Sequence, residues 1–353
     1  MKRNIIFRIA VCCSFILIAF IGCSSGKETQ HFQPSVMNLK MDIVPDIKIM
    51  SEIRVWDNQV YLTYESRGEY GQHHIKQYTY NHSAQTLNFD KELFKKDDGY
   101  YQLFAPSLFD DGEEGLYVYD RDMPSVYSVS SNGVANSTGK HLITTSAKTP
   151  YSLVQEARQA FYKSTDEYLF IGREPFGGEQ ALFLSLNYAD SIIINEVCKI
   201  AYNKDNPSWM INFGKATYNP HKQIVAYTYQ LYPILQLINV NNAKEESFVK
   251  LEDVEYFNIK IEGADIWEQN PVQFKDITSN EKYIYALFWG KTFTAVNNDR
   301  QLDKGMSKII KYDWEGNVIA TYTINRYLEN IGVSNENSCI IGYDGKNMCL
   351  VEL

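Results

Sequence analysis

The chain has 353 residues and a formal charge of −9, because 43 acidic side chains outnumber 34 basic ones. Aromatic residues make up 14% of it, with 26 Tyr and 18 Phe, whereas Gly (20) and Pro (10) are modest. This composition excludes a disordered, collagen-like or coiled-coil protein and indicates a globular body with a sizeable core. The acidic balance argues against a nucleic-acid partner, because nucleic-acid binding depends on Lys and Arg side chains that neutralise phosphates.

The amino-terminal segment is organised like a signal peptide. Three basic residues precede an apolar run, Ile9 to Gly22, that is too short for a membrane-spanning helix. The run ends in F-I-G-C at Cys23, which resembles the lipobox of bacterial lipoproteins, although Phe20 stands where Leu is usual. The resemblance implies that residues 1–22 are a signal peptide and that Cys23 carries a diacylglycerol group, which would tie the protein to a membrane. The alternative is an ordinary secretory signal with an unmodified Cys23.

The next residues, 23–36, are polar and are interpreted as a lipidated Cys followed by a tether, so the folded body is expected to span residues 37–353. Ser at both positions after Cys23, by resemblance to lipoproteins of Gram-negative bacteria, favours the outer membrane of the cell envelope. Whether the protein faces the periplasm or the cell surface is left open. In the body, Cys339 and Cys349 flank a predicted hairpin, and either a disulfide or two buried thiols fits that spacing.

The body is repetitive. Nearly every periodic segment alternates apolar and polar residues with period 2, which is typical of β-strands. A short apolar strand recurs every 51 to 59 residues, and in five of its six copies a second hairpin-like segment follows it. The spacing is counted from Val60, Tyr117, Tyr168, Val225, Ile284 and Cys339.

Six such units predict an all-β, six-bladed β-propeller. The sixth unit ends with M-C-L-V-E-L and lacks a fourth strand. Residues 38–44 alternate apolar and polar positions and have no other assignment, so this N-terminal strand is expected to join the C-terminal blade and close the ring. A pair of irregular β-sandwiches is the alternative.

These repeats resemble the TolB-like six-bladed propeller lipoproteins of Gram-negative bacteria, most closely at D-I-T-S-N-E-K-Y-I-Y-A-L-F-W-G-K (276–291) and I-I-K-Y-D-W-E-G-N-V-I-A (309–320). The resemblance extends over nearly all of residues 37–353, but the matching motifs belong to the scaffold. It implies a fold and an envelope location, and it implies no catalytic residues.

Candidate binding residues lie where two corresponding strands end. Arg173 and Glu174 follow the central strand of the third unit, and Trp289 and Lys291 end the matching strand of the fifth. Corresponding strand ends share one face of a propeller, so we expect these residues to contribute to a ligand-binding site over the central channel.

Motifs of other chemistries are missing from the sequence. We find no G-x-S-x-G, P-loop, G-x-G-x-x-G or H-E-x-x-H motif. The acidic turn D-D-G-E-E at 110–114 lacks the spacing of a calcium loop, and His73 and His74 are adjacent strand residues that cannot share one metal. No catalytic residue, metal ligand or cofactor is therefore predicted.

Two functions from different classes fit. The first is a lipid-anchored binding or scaffolding module for an envelope protein, a peptide or a glycan. The second is a propeller enzyme, a lyase or a metal-dependent lactonase-like hydrolase, with its site at the central channel. The first is preferred because the catalytic motifs are missing.

Overall fold

The structure is a computed structural model. It describes residues 29–353 except 57, 69–70, 95–102, 104, 114, 121–124, 130–136, 143–154, 174–177, 189–190, 206–207, 243, 252–258, 261–264 and 335–338, and of the first two residues of β11 it describes only the backbone. Its strands form six separate sheets, one for each blade of a six-bladed propeller, so the predicted fold class is confirmed.

The strands of each blade follow one another in the chain and pair antiparallel. Blade 1 contains β4 (Ile47–Trp56), β5 (Gln59–Ser66), β6 (His73–Asn81) and β7 (Thr86–Leu93). Blade 2 contains β8 (Pro106–Asp110), β9 (Leu116–Asp120) and β10 (Tyr127–Val129). Blade 3 contains β11 (Gln155–Ser164), β12 (Glu167–Arg173), β13 (Gln180–Tyr188) and β14 (Ser191–Lys199).

The other three blades complete the ring. Blade 4 contains β15 (Gly214–Asn219), β16 (Ile224–Tyr229), β17 (Ile234–Asn239) and β18 (Glu246–Lys250). Blade 5 contains β19 (Val272–Ser279), β20 (Tyr283–Lys291), β21 (Ser307–Asp313) and β22 (Val318–Ile324). Blade 6 contains β23 (Asn330–Val333), β24 (Cys339–Tyr343) and β25 (Met348–Glu352).

The recurring apolar strand of the sequence is the second strand of every blade. These strands are buried on both faces because each blade is packed between two neighbours, and β24 is buried at all five positions. A strand covered on both faces has an almost continuous apolar sequence, which is why this strand gave the clearest repeat. The hairpin turn at Glu315-Gly316 is also confirmed, with Gly316 at φ +90°.

The chain's beginning closes the ring. Strand β2 (Val36–Asn38) pairs antiparallel with β25, so an N-terminal strand supplies the outer strand of blade 6, as predicted. The predicted limits, 38–44, are wrong: β3 (Lys40–Met41) instead pairs in parallel with β7 of blade 1. Before them, β1 (Gln30–Phe32), within the predicted tether, pairs in parallel with β22 of blade 5.

The two cysteines near the carboxyl terminus do not form a disulfide with each other. Cys339 lies opposite Glu352 and Cys349 lies opposite Gly342, so the two thiols occupy different rows of the same sheet. The Nη1 of Arg326 contacts the Cys349 sulfur at 3.3 Å and donates to Asn38 Oδ1 at 2.6 Å. Arg326 therefore links blade 6 to the N-terminal closing strand.

Hydrogen bonds cross every boundary between neighbouring innermost strands. These strands, β4, β8, β11, β15, β19 and β23, contact one another in a closed circle around the central channel. The bonds are Leu108 N to Glu52, Ala160 N to Ser107, Ala216 N to Gln159, Lys215 to Asp276, Ile331 N to Asp276, and Asn330 to the Ser51 carbonyl. In each of them a side chain of one strand bonds its neighbour, and we call this set the channel ring.

Two short helices interrupt the pattern in the described part of the chain. Helix α1 (Ile266–Gln269) precedes β19, and helix α2 (Phe293–Gln301) lies between β20 and β21. Thr292 caps α2, its hydroxyl accepting from Ala295 N at 3.2 Å. Among the described residues, no helix is both long and apolar enough to cross a membrane.

We predict that the closing strand β2 stabilises the propeller more than β1 does. A chain that begins at Leu39 loses the β2–β25 ladder and the packing of Val36 on the core, and its free energy of unfolding should fall by about 4 kcal/mol. Its melting temperature should fall by about 5 °C or more. The matched control begins at Gln33, which removes only the exposed β1, and should lose about 1 kcal/mol. Equal melting temperatures for the two chains would contradict this prediction.

Candidate functional site

The blade topology defines two faces of the propeller. In an antiparallel blade the second strand ends where the innermost strand begins, and we call this side the N face. Arg173 ends β12 and Lys291 ends β20, so both predicted site residues lie on the N face. Glu174 and the predicted lipidation residue Cys23 lie outside the described residues.

A cavity of about 200 Å³ occupies the central channel. All six innermost strands line it, and the residues that line it include Arg54, Leu108, Arg158, Lys215, Asp276 and Ile331. The cavity is therefore a shared product of the whole ring.

The charged groups of the cavity neutralise one another. Arg54 donates to Asp110 Oδ2 at 2.9 Å and lies 3.4 Å from Glu52 Oε1. Lys215 donates to the buried Asp276 at 2.8 Å. Burial raises the pKa of the Glu52 carboxyl, and the nearby Arg54 guanidinium opposes that change. These pairings hold the ion pairs in fixed positions around the cavity.

Three aromatic residues form a partly exposed row on the N face beside the cavity: Trp209, Phe213 and Trp267, which we call the aromatic shelf. Neighbouring rings meet edge to face, with centroids 6.4 Å apart for Trp209 and Phe213 and 5.5 Å apart for Phe213 and Trp267. The guanidinium groups of Arg158 and Arg173 lie 4.7 and 5.1 Å from the Trp209 ring centre. Phe213 and Arg158 also line the cavity, so shelf and channel are continuous.

Local hydrogen bonds fix the shelf. Trp209 N donates to the Gly178 carbonyl at 2.8 Å, which joins two loops of the N face. Asn212 accepts from Tyr202 N and donates to the Ser208 carbonyl at 2.9 Å, so it braces the loop that carries Trp209. Trp267 belongs to α1, whose first turn is capped by Asp265. The shelf is therefore preorganised, which lowers the entropy lost when a ligand binds.

Trp289, a predicted binding residue, belongs to the core. Its side chain is only 5% exposed, because α2 folds over it, and its ring packs edge to face against Phe293 and Tyr327. Its indole N–H donates to the Leu328 carbonyl at 2.6 Å. Little of this ring is left for a ligand to contact.

Lys291, the other predicted residue of blade 5, is bound within its own blade. Its amine donates to Asp299 of α2 at 2.6 Å, and hydrogen bonds to Asp299 and Tyr327 raise the pKa of Lys291. The structure thus places Arg173 against the shelf, whereas Lys291 anchors α2.

The sequence did not lead us to predict the aromatic shelf, Arg158 of β11 or Lys275 of β19 as site residues. The prediction considered only the ends of second strands, whereas Trp209 and Trp267 lie in the segments that precede innermost strands. Two Trp residues in such polar connections were a usable signal. Arg158 and Lys275 belong to the innermost strands β11 and β19, where a charged side chain must face the channel or another polar group.

Possible metal ligands are scattered. His74 shares a 2.6 Å hydrogen bond with Glu92, and Asp110 and Asp111 lie at the end of β8. Within the described part of the chain, no group of three His, Cys, Asp or Glu side chains is arranged to hold a metal ion.

Comparison with known proteins agrees with this fold. The model of the family described as TolB-like 6-blade propeller-like matches residues 202–336. No curated protein sequence matches the chain.

The chain is also similar to solved structures. A member of the DUF4221 family from Bacteroides vulgatus is similar to the chain with a TM-score of 0.55 and 12% identity, covering 91% of this chain and 96% of that one. A gluconolactonase from Xanthomonas campestris has a TM-score of 0.49 and 10% identity, covering 91% and 89%. A virginiamycin B lyase from Staphylococcus aureus has a TM-score of 0.47 and 11% identity, covering 91% and 100%.

At 12% identity the Bacteroides vulgatus structure bears on the fold alone. The family match covers blades 4 and 5 and the start of blade 6, which include the segments from which the resemblance was first drawn. The chain is therefore a six-bladed β-propeller, and its residues 202–336 are similar to the TolB-like 6-blade propeller-like family.

Proposed function

We propose that the protein is a binding module of the cell envelope that holds a peptide or a glycan at the N face. The observation that carries this proposal is the aromatic shelf, since three partly exposed aromatic rings adjoin a polar cavity and two stacked guanidinium groups. Exposed aromatic and Arg side chains dominate the affinity of binding sites because they bury a large area with little loss of entropy.

The enzyme alternative has less support. A lyase or hydrolase needs an acid, base or nucleophile that is available to the substrate. In the cavity, Asp276 is engaged by Lys215 and Ile331 N, and Glu52 is engaged by Leu108 N and Arg54. Carboxylates held in this way serve the channel ring, which favours binding over chemistry.

The envelope location rests on the amino-terminal sequence. A lipid on Cys23 would hold the propeller at a membrane, because each buried methylene contributes about 0.8 kcal/mol. Strands β1, β2 and β3 bind the segment after it to blades 5, 6 and 1, so the anchor would reach the propeller near those blades.

We predict that Cys23→Ser releases the protein from membranes. The wild-type protein expressed in a Gram-negative host should sediment with the membrane fraction and incorporate radiolabelled palmitate, whereas the variant should do neither. Ser24→Ala, which leaves the thiol in place, is the control. A variant that still incorporates palmitate would rule out lipidation at Cys23.

We predict that Trp209→Ala and Trp267→Ala each weaken ligand binding about tenfold or more, without loss of fold. Binding is measured by calorimetric titration with four probes: galactobiose, digalacturonate, and the peptide Ala-Ala-Ala with a free or an amidated carboxyl terminus. The exposed Tyr188 of blade 3 supplies the matched control, Tyr188→Ala, which should bind normally.

Trp289→Ala changes a residue of the core instead of the shelf, so its expected effect is on stability. Because Trp289 is a core residue, this variant should lose about 3–5 kcal/mol in free energy of unfolding, measured with urea. Wild-type protein that binds none of the four probes at millimolar concentration, or shelf variants that bind like the wild type, would contradict the proposed function.

A further inference from the structure

A lysine without a hydrogen-bonded carboxylate among the described residues lies on β19, one residue from the channel wall. Three cationic residues, Lys215, Lys275 and Arg300, are near one another, and they face the carboxylates of Asp276 and Glu329. Lys215 pairs with Asp276 at 2.8 Å and Arg300 pairs with Glu329 at 2.9 Å. Both carboxylates are thus occupied, and Lys275 has no hydrogen-bond acceptor among the described residues.

The amine of Lys275 rests on aromatic rings. It lies 5.0 Å from the ring centre of Trp289 and 5.2 Å from that of Phe293. Contact with two rings compensates only part of the hydration that a buried ammonium loses. Burial accordingly lowers the pKa of Lys275; the Glu329 and Asp276 carboxylates oppose that change, and the positive charges of Lys215 and Arg300 add to it.

Unpaired hydrogen-bonding groups gather at the same place. Gln273, two residues before Lys275, is fully buried, and neither its amide nitrogen nor its amide oxygen has a partner in the described part of the chain. The Oδ1 atom of Asn330 and the Nε atom of Arg300 are also buried without a partner. Buried polar groups in proteins almost always have hydrogen-bond partners, so this concentration indicates a place built to receive a polar group.

The cluster is next to the aromatic shelf. Phe293 belongs to α2 and Trp267 belongs to α1, and the two helices are joined by the 2.6 Å hydrogen bond from Thr294 to Glu268. Asp276, adjacent to Lys275 in the chain, lines the cavity that Phe213 also lines. Lys275 is therefore one residue from the cavity wall, and the helix whose Phe293 lies beside it is joined to the helix that carries Trp267.

We propose that Lys275 binds a carboxylate of the ligand held at the N face, so that the ligand is an acidic one: a sugar acid or the free carboxyl terminus of a peptide. This inference rests on the proposed function. A carboxylate supplies the one negative charge that the three cations lack. Its hydrogen bond with an ammonium in a partly dehydrated site is among the strong ones in proteins.

The test compares each charged probe with its neutral counterpart: digalacturonate with galactobiose, and Ala-Ala-Ala with its carboxyl-terminal amide. Wild-type protein should bind one of the charged probes at least about tenfold more tightly than its counterpart. Lys275→Met keeps the apolar stem on the rings and should abolish that preference, whereas Lys275→Arg should retain it. A preference for digalacturonate identifies a sugar acid, and a preference for the free peptide identifies a chain terminus.

Lys311→Met is the matched control. The Lys311 amine also lies over an aromatic ring, 3.8 Å from the centre of Tyr283, and burial also lowers its pKa, but Lys311 is on β21, outside the cluster. This variant should keep the preference of the wild type.

The possible outcomes separate the two proposals. If the wild type binds charged and neutral probes equally, or if Lys275→Met keeps the preference, the carboxylate site is overturned and the proposed function stands. If the wild type binds none of the probes, both are overturned.

A second measurement needs no variant, in case Lys275→Met fails to fold. The rate at which acetic anhydride acylates Lys275 is measured by mass spectrometry, and the preferred charged probe should slow it several-fold. An unchanged rate in the presence of saturating probe would overturn the proposal.

Discussion

The Asp276 carboxylate is the interaction on which the propeller most depends. It is almost fully buried and accepts two hydrogen bonds, from Lys215 of blade 4 at 2.8 Å and from Ile331 N of blade 6 at 2.9 Å. Lys215 and Asn330 both donate to the Ser51 carbonyl, which extends the connection to blade 1. One carboxylate on β19 therefore organises contacts among four of the six blades. A buried charge held by several donors is costly to leave unpaired, so these contacts form together.

The binding site follows from the same arrangement. The polar groups of the channel wall form the hydrogen bonds between blades that make up the channel ring. The groups that remain available to a ligand therefore lie at the N face. There, Arg158 and Arg173 stack on Trp209, and Lys275 lies over aromatic rings without a hydrogen-bonded carboxylate among the described residues. Adjacent residues of β19 thus serve the scaffold and the site. Asp276 holds the channel ring together, and Lys275 is available to a ligand.

The sequence predicted the fold well because its signal is local. A strand buried on both faces needs an apolar run, and six such runs at nearly equal spacing leave few architectures. The closing strand was predicted in kind but misplaced, since residues 38–44 alternate more regularly than Val36–Asn38, and short edge strands are set by the partner they pair with. The site was harder to predict, because the exposure of Trp289 depends on whether residues 293–301 form a loop or the helix that covers it. Likewise, whether Lys275 finds a hydrogen-bonded carboxylate depends on three-dimensional packing, and in the described part of the chain Asp276 and Glu329 are engaged by Lys215 and Arg300 instead.

The most direct test of this account is a double-mutant cycle on the ring itself, with Asp276→Asn, Lys215→Met and the double variant unfolded in urea. The account predicts that the two side chains are coupled by about 1.5 kcal/mol or more. Either single substitution already breaks the charged hydrogen bond between the two blades, so the double variant loses nothing more from that bond. Losses that simply add, with no coupling between blades 4 and 5 at this position, would contradict the claim that the channel ring holds the propeller together.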